Sequence, residues 1–394
     1  MMPTIPSDVR TPAYVLDVAL LKRNLATAAR IKRETGAKIL LAIKAWAMPA
    51  AFPMMIEVLD GTTASGEYEA RLGREEFGKE VHVYAPAYTG NEIKKLVGIA
   101  DHIYFNSPEQ ITRFLPIVEQ KAATRIGIRV NPGYSNATLG GALYDPGAPY
   151  SRFGTLKGQL DELPWEAIHI FHVHALCESL HDGSIGLIRQ VAREFAPYLE
   201  WVKAVNFGGG HFINKRGYDV DALIKAIKAF RAEFNVDVIL EPGAGLVVDT
   251  GYLVASVIGL HRNEKDIAIL DTSASCHMPD VIEVPYKPPI LGAGEPGIHP
   301  YSYILGGKTC MTGDVIGEYS FPKRLSVGDR LIFGDMMHYS FVKNTTFNGT
   351  PLPDIALLDE DGSYRTVFTS GYDEFRRRLG YGATAASSRD GGRT

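Results

Sequence analysis

Eight short apolar runs recur before residue 242, most of them followed by a stretch with helical spacing, and this alternation constrains the fold more than any other feature. Lys38–Ala45 (KILLAIKA) is nearly continuous in apolar residues, as expected of a strand buried on both faces. Its counterparts are Gly61–Ser65, Glu80–Ala87, His102–Asn106, Thr124–Val130, Ile168–Ala175, Ala204–Phe207 and Val236–Glu241. Helical patterns fill Glu67–Phe77, Pro108–Lys121, Ile185–Leu199 and Asp219–Phe234, and an earlier one over Val18–Thr35 stops at Gly36. Ser107 followed by Pro108 is a helix start, a capping residue before proline at the first helical position.

Eight strands with crossovers predict a (β/α)8 barrel, although a doubly wound open sheet gives the same alternation. The polar residues discriminate. Lys44, Ser65, Asn106, Arg129 with Asn131, His174, Gly208–Gly210 and Glu241 all fall at or just past the C-terminal end of a predicted strand. In a barrel those ends converge on one rim, where active sites lie; an open sheet scatters several of them. After about residue 250 the texture changes. Val254–Leu260, Asp266–Leu270, Val281–Val284, Asp329–Phe333 and Thr366–Thr369 read as strands separated by Gly/Pro-rich turns, and Ala13–Leu16 is placed with them. The expected fold class is therefore α/β plus all-β: a barrel over 18–250, a mostly antiparallel β domain from 1–17 and 251–381, and a flexible tail over 382–394.

Composition narrows the function classes. Hydrophobic residues make up 45% and charged ones 22%, the balance of a soluble globular protein with a sizeable core. A net charge of -4 without a dense Lys/Arg run gives no nucleic-acid footprint. Three cysteines, Cys177, Cys276 and Cys310, are too sparse for a disulfide framework and point to a reducing compartment. Pro3 and Pro6 without an apolar core do not read as a signal peptide, and no run approaches the roughly 20 apolar residues of a membrane span. The expected setting is the cytoplasm.

Several residues can carry chemistry. Lys44 sits in an apolar strand, where an ammonium either pairs, reaches solvent or has a lowered pKa; a desolvated lysine is what Schiff-base chemistry needs. Asn206–Gly210 (NFGGG) follows a strand and precedes a helix, so its backbone N–H groups either receive a phosphate or simply make a tight turn. Glu241 opens EPGAG behind an apolar strand and needs either a structural cation or a protonated ring nitrogen. His172 and His174 share one strand face; with no HExxH, CxxC or third-ligand spacing, packing against a planar cofactor is preferred to metal binding. Cys310, in GGKTCMTGD with Asp314 four residues on, is either an acid or a half-buried small residue. No GxSxG elbow supports a serine hydrolase.

Together these pieces resemble the fold-type III pyridoxal-phosphate decarboxylases, the group holding ornithine, arginine and diaminopimelate decarboxylases. The motifs are TPAYVLD at Thr11–Asp17, AIKA at Ala42–Ala45, HALCE at His174–Glu178, NFGGG, EPG at Glu241–Gly243, SCHMPD at Ser275–Asp280, GKTCMTGD at Gly307–Asp314 and NTTFNG at Asn344–Gly349. The last four look most like the subfamily acting on carboxynorspermidine and carboxyspermidine. The resemblance implies pyridoxal 5'-phosphate held by Lys44 as a Schiff base, His174 on the pyridine ring, Gly208, Gly209 and Gly210 at the phosphate, and Glu241 at the ring nitrogen. Ser65, Arg129, Gly243 and the late Tyr339 complete the cofactor set. Cys310 would be the acid near the substrate carbon, contributed with Asp314 by the partner subunit of a homodimer. Glu178, Asp280 and Asp314 would meet a cationic amine tail, and His277, Glu241 and Cys310 complete the substrate set.

Two positions depart from the wider group. Ala244 stands where ornithine and diaminopimelate decarboxylases carry arginine, and Met311 where diaminopimelate decarboxylases carry glutamate; both argue against diaminopimelate and fit a substrate with one carboxylate and a long cationic amine tail. Glu241 argues against a racemase, which on this fold places arginine at the ring nitrogen. The second domain argues against a non-catalytic cofactor carrier, which is a single barrel.

Overall fold

The structure, a computed structural model, describes residues 5–7, 9–121, 123–136 and 145–381; the expected tail over 382–394 lies outside them. The chain divides into two compact units, Leu20–Val248 and a second joining the segment up to Ala19 with the chain from Asp249 onward.

The first strand, β1 (Ala13–Asp17), belongs to the second unit. The first unit is a closed barrel of eight parallel strands: β2 (Lys38–Ala42), β3 (Gly61–Ala64), β4 (Glu80–Tyr84), β5 (His102–Phe105), β6 (Arg125–Arg129), β7 (Ile168–His172), β8 (Ala204–Asn206) and β9 (Asp237–Leu240). Pairing of Lys38 with Ile239 and Ile39 with Leu240 closes it. All eight sequence-predicted strands are present, ending one to three residues early where the chain turns out at the rim. Side chains alternate across a strand, so one parity of each fills the barrel. Leu40, Tyr104, Ile170, Ala204 and Ile239 form that inner layer, with Tyr84 against them.

The helices follow from their caps and apolar stripes. Ser107 Oγ accepts from Gln110 N–H at 3.3 Å to start the helix Pro108–Val118. Asp219 Oδ1 does the same from Ala222 N–H at 3.0 Å for the helix Val220–Phe234. That helix buries Leu223, Ile224, Ile227 and Phe230, one stripe at helical spacing, each worth about 1.5–3 kcal/mol when fully removed from water. The predicted helix Ile185–Leu199 begins a turn earlier, at His181.

The second unit is an eight-stranded sheet. Its strands after β9 are β10 (Gly251–Asn263), β11 (Lys265–Leu270), β12 (Tyr301–Gly306), β13 (Val315–Phe321), β14 (Arg330–Gly334), β15 (Asp354–Leu358) and β16 (Tyr364–Phe368). They run in the order β13-β12-β11-β10-β1-β15-β16, with β14 also on β10. Most pairs are antiparallel; β1 with β15 and β11 with β12 are parallel. The first half of β10 pairs with β1 and β14, the second half with β11. One expected strand is absent: Val281–Val284 lies in a helical turn, Asp280–Glu283. A four-residue apolar run does not fix its own period, and Pro279 at the cap starts a turn there. β12 and β13, whose apolar residues are interrupted by Tyr, Ser, Gly and Glu, are not among the strands expected from sequence, and neither is β15, with its short apolar run Ile355–Leu358.

Candidate active site

The inward parity of the barrel strands carries most of the candidate residues. Lys44 lies two residues beyond β2, between buried Ile43 and Ala45. Its side chain is exposed at the mouth, yet protein surrounds it closely enough to govern its solvation. That enclosure, then the Arg129 guanidinium, push its pKa below the ordinary lysine value; Glu241, Glu69 and Cys177 partly oppose them. Ser65 N–H donates to Glu69 Oε2 at 2.6 Å, which brings Glu69 into the same neighbourhood. Arg129 ends β6 with its guanidinium over the rings of Tyr84 (4.4 Å) and Phe153 (4.5 Å) and donates to the His174 carbonyl at 2.8 Å. Burial lowers its pKa.

Glu241, just past β9, is 3% exposed. Asn206 Nδ2 donates to its Oε1 at 2.7 Å, and His172 Nε2 lies 3.5 Å from its Oε2. Burial works to raise its pKa; His172 and Asn206 outweigh burial and hold the carboxyl at about 2. Glu241 is therefore an anion at neutral pH. His172 stacks on Tyr104 with ring centroids 4.6 Å apart, and neither of its ring nitrogens has a hydrogen-bond partner among the described residues. Burial also holds His174, and His172 less strongly, below the usual histidine pKa, so both are neutral. His172, His174 and Glu241 each bring a donor atom within 4.8 Å of the others. Sequence spacing offered the two histidines no third partner; the fold supplies it from a distant strand.

The glycine loop Gly208–Gly210 packs onto His174. Gly209 N–H donates to His174 Nδ1 at 3.1 Å, and Gly208 N–H to Asn206 Oδ1 at 2.8 Å. Gly208 has φ +67°, and a Cβ there would lie 2.6 Å from His174 Cβ, so only glycine lets the loop approach this closely. Gly243 is equally confined: its Cβ would sit 2.6 Å from Ala45 Cβ. Ala244, which replaces an expected arginine, opens the buried turn Ala244–Val247. Glu178 is exposed with φ +45°. Sequence reasoning missed Tyr84, Tyr104 and Glu69; aromatic or acidic residues in strands and helices carry no local mark of a site.

In the second unit, three of the sequence motifs meet. Cys310 is exposed and free, and its N–H donates to Asn348 Oδ1 at 2.8 Å. Thr345 N–H donates to the Cys276 carbonyl at 2.9 Å. Asp314 ties the Cys310 loop to the SCHMPD turn: Oδ1 accepts from Ala274 N–H at 2.7 Å, Oδ2 from Ser273 Oγ at 2.9 Å and Thr309 Oγ1 at 2.6 Å. Two residues expected at the substrate are bonded within this chain. Asp314 is 4% exposed and spends both oxygens on this chain's own donors. His277 is fully buried, with Nε2 donating to the Pro351 carbonyl at 3.0 Å and Nδ1 3.0 Å from Thr272 Oγ1. Burial lowers its pKa to about 4. Asp280 pairs with Lys343 at 2.5 Å, so a substrate cation reaches it only by exchanging that partner. Tyr339 lies beyond β14 with φ +37°, partly buried. No helix among the described residues is long and apolar enough to cross a membrane.

An eight-stranded barrel with a lysine, an ionised carboxylate and a glycine loop on its rim, together with a β unit, defines a class, and comparison with known proteins agrees with it. The family profile described as "Pyridoxal-dependent decarboxylase, C-terminal sheet domain" matches residues 13–337, and the chain belongs to this family of carboxy-lyases. Among individual relatives, a carboxynorspermidine/carboxyspermidine decarboxylase of Campylobacter jejuni is 39% identical, covering 94% of this chain and 98% of its own. A carboxyaminopropylagmatine decarboxylase of Synechocystis is 40% identical, over 95% and 96% respectively. The crystal structure of carboxynorspermidine decarboxylase from C. jejuni, complexed with norspermidine, superposes with a TM-score of 0.86 at 38% identity, covering 94% of this chain and 100% of that one.

Proposed function

We propose that this enzyme removes CO2 from carboxynorspermidine and carboxyspermidine, giving norspermidine and spermidine, with pyridoxal 5'-phosphate bound in the barrel. The observation that carries the reading is Glu241, an anion on the barrel's rim near Lys44, in a chain similar over 94% of its length to a decarboxylase named for carboxylated polyamines. The donor set suits this cofactor. Lys44 has the lowered pKa that favours a nucleophilic amine for its aldehyde. Glu241 offers a negative charge to a protonated ring nitrogen, neutral His174 a flat neighbour for the ring, and the Gly208–Gly210 loop a close backbone approach for the phosphate, with Gly208 N–H kept by Asn206 and Gly209 N–H by His174. Ser65, Arg129, Gly243 and Tyr339 complete that set.

When bound, the cofactor supplies an acceptor for the electron pair left as CO2 departs. The residues of this chain do the rest. Lys44 would hold the cofactor through its Nζ. Glu241 stays ionised throughout, kept so by Asn206. Cys310, exposed on the β unit, delivers a proton to the substrate carbon from a second copy of the chain, so the working unit is a homodimer with shared sites. Glu178 and, after exchange with Lys343, Asp280 meet the cationic tail. Asp314 and His277 act by fixing the Cys310 loop and the turn beside it.

The 40% identity to the carboxyaminopropylagmatine decarboxylase supports a second reading, in which the tail ends in a guanidinium group. A CO2-release panel on purified enzyme separates them: carboxynorspermidine, carboxyspermidine, carboxyaminopropylagmatine, diaminopimelate and ornithine, each with wild type and Lys44→Ala. Turnover of the first two, lost in Lys44→Ala together with the covalent cofactor linkage, is expected. Preference for the agmatine derivative, or CO2 release unchanged in Lys44→Ala, defeats the proposal.

A further inference from the structure

We propose that Tyr104 is a positioning residue for Glu241, the centre of a directed hydrogen-bond chain that crosses the barrel from Glu80 through His82, Tyr104 and Asn206. This rests on the reading of Glu241 as the cofactor's ring-nitrogen partner.

The direction of every bond follows from donors whose identity is fixed. Gly208 N–H can only donate, so the Asn206 atom that receives it at 2.8 Å is the carbonyl oxygen. The amide nitrogen of Asn206 then faces the barrel interior, giving one hydrogen to Glu241 Oε1 at 2.7 Å and the other to Tyr104 Oη at 2.9 Å. With Tyr104 Oη accepting, its own proton goes to the other polar atom bonded to it, His82 Nδ1 at 2.6 Å. His82 therefore carries its proton on Nε2, which lies 3.3 Å from Glu80 Oε2. Lys38 Nζ donates to the other oxygen of Glu80 at 2.5 Å. Reversing any of these bonds leaves two donors or two acceptors facing each other, or the buried phenol proton without a partner.

The site is built for this. His82, Tyr104 and Asn206 show 0% exposure, while Glu80 at the start of β4 is partly exposed. Gly127, at an inward position of β6, makes room for the phenol: a Cβ there would lie 2.4 Å from Tyr104 Cδ1. His172 stacks on the same ring. Polar side chains in a barrel core cost free energy unless each is bonded, and their arrangement in one line ending on Glu241 gives that cost a purpose. The chain holds the Asn206 amide in the one orientation that donates to the carboxylate. Gly208 N–H fixes the oxygen end of the amide and Tyr104 Oη its nitrogen end; without the phenol one of these restraints is lost, and the hydrogen bond that helps keep Glu241 ionised weakens.

The test uses the cofactor-loaded enzyme and its apoprotein, as wild type, Tyr104→Phe and Tyr88→Phe. Tyr88 is the control: buried at 6% exposure, its hydroxyl bonds only backbone, accepting from Ala85 N–H at 2.8 Å and lying 3.3 and 3.2 Å from the Val83 and Tyr104 carbonyls, and it meets no side-chain atom of the chain. Tyr104→Phe is expected to raise the apparent Kd for pyridoxal phosphate roughly tenfold, alter the bound cofactor's visible absorbance and lower kcat roughly tenfold with KM within about twofold, the size of one lost hydrogen bond. Tyr88→Phe should match its loss of Tm and show none of the other changes. If Tyr104→Phe cannot be folded, Glu80→Gln at the open end decides: its charge is lost with shape kept, and the absorbance must shift in the sense a less ionised Glu241 gives. An unchanged Kd and spectrum in Tyr104→Phe, changes shared equally with Tyr88→Phe, or an unshifted Glu80→Gln overturns the inference. Wild type that binds no cofactor at all instead defeats the reading it rests on.

Discussion

Asp314 offers a sharp contrast between a structural and a substrate-binding carboxylate. Its side chain accepts from Ala274 N–H, Ser275 N–H, Ser273 Oγ, Thr309 N–H and Thr309 Oγ1, at 2.6–3.4 Å. Four of those contacts are 3.2 Å or shorter, and the carboxylate itself is 4% exposed. Asp314→Ala strands these donors at about 1 kcal/mol each, a destabilisation of about 3–5 kcal/mol. Asp314→Asn keeps one acceptor oxygen but turns an amide toward Thr309 N–H, for a loss of about 1–2 kcal/mol. For a unit of this size each kcal/mol moves Tm by roughly 2–4 °C, so Asp314→Ala should lower it by roughly 10 °C and Asp314→Asn by a few degrees. Differential scanning fluorimetry reads the first quantity and CO2-release kinetics the second. Because Asp314 ties Thr309 beside Cys310, kcat should fall with Tm while KM stays within about twofold. The opposite pattern, a raised KM at unchanged Tm in Asp314→Asn, would mean that the carboxylate meets substrate and that the internal bonds are dispensable.

Two further outcomes follow from burial. His277 has a folded pKa of about 4 against the ordinary 6.5, so it stays neutral while the unfolded chain takes up a proton. Stability is therefore lost as pH falls from about 6.5 toward 4; between pH 8 and 5 this residue contributes about 2 kcal/mol of that loss. His277→Gln should flatten the pH dependence of the urea midpoint by that amount, and identical slopes would refute it. Cys310 is exposed, so Cys310→Ala should leave Tm and the cofactor spectrum unchanged while slowing turnover by about 10²-fold, the usual worth of a positioned acid. A large Tm loss would assign the thiol to packing.

The barrel was legible because parallel strands buried on both faces leave continuous apolar runs, as in Lys38–Ala42. The β unit was less so. Its sheet tolerates Tyr301, Ser302 and Glu318 on partly exposed faces, and Val281–Val284 shows that a short apolar run can equally close a helical turn. For the site, residue type was readable and partnership was not. His277 and Asp314 look like ligands in a polar loop, and only the fold shows that Pro351, Thr272, Ser273, Ala274 and Thr309 already occupy them.

Strand parity carried more than was taken from it. Counting in twos from the inner-layer residues places Leu40 with Lys44, Tyr84 with His82 and Glu80, Ile170 with His172 and His174, Ala204 with Asn206 and Ile239 with Glu241 on the inside of one barrel. Inward polar residues on five strands are too costly to be incidental, since each needs a buried partner. Those nearest the C-terminal rim announce a site, and those deeper, at His82 and Tyr104, must be bonded to it or to one another. Parity gives the membership of such a set from sequence alone. The order of its bonds needs the fold, because which histidine reaches which tyrosine depends on the register of β4 against β5, where His82 pairs with His102 and Tyr84 with Tyr104. That register sets His82 beside Tyr104 on the inner face, and it turns a list of polar residues into a support for Glu241.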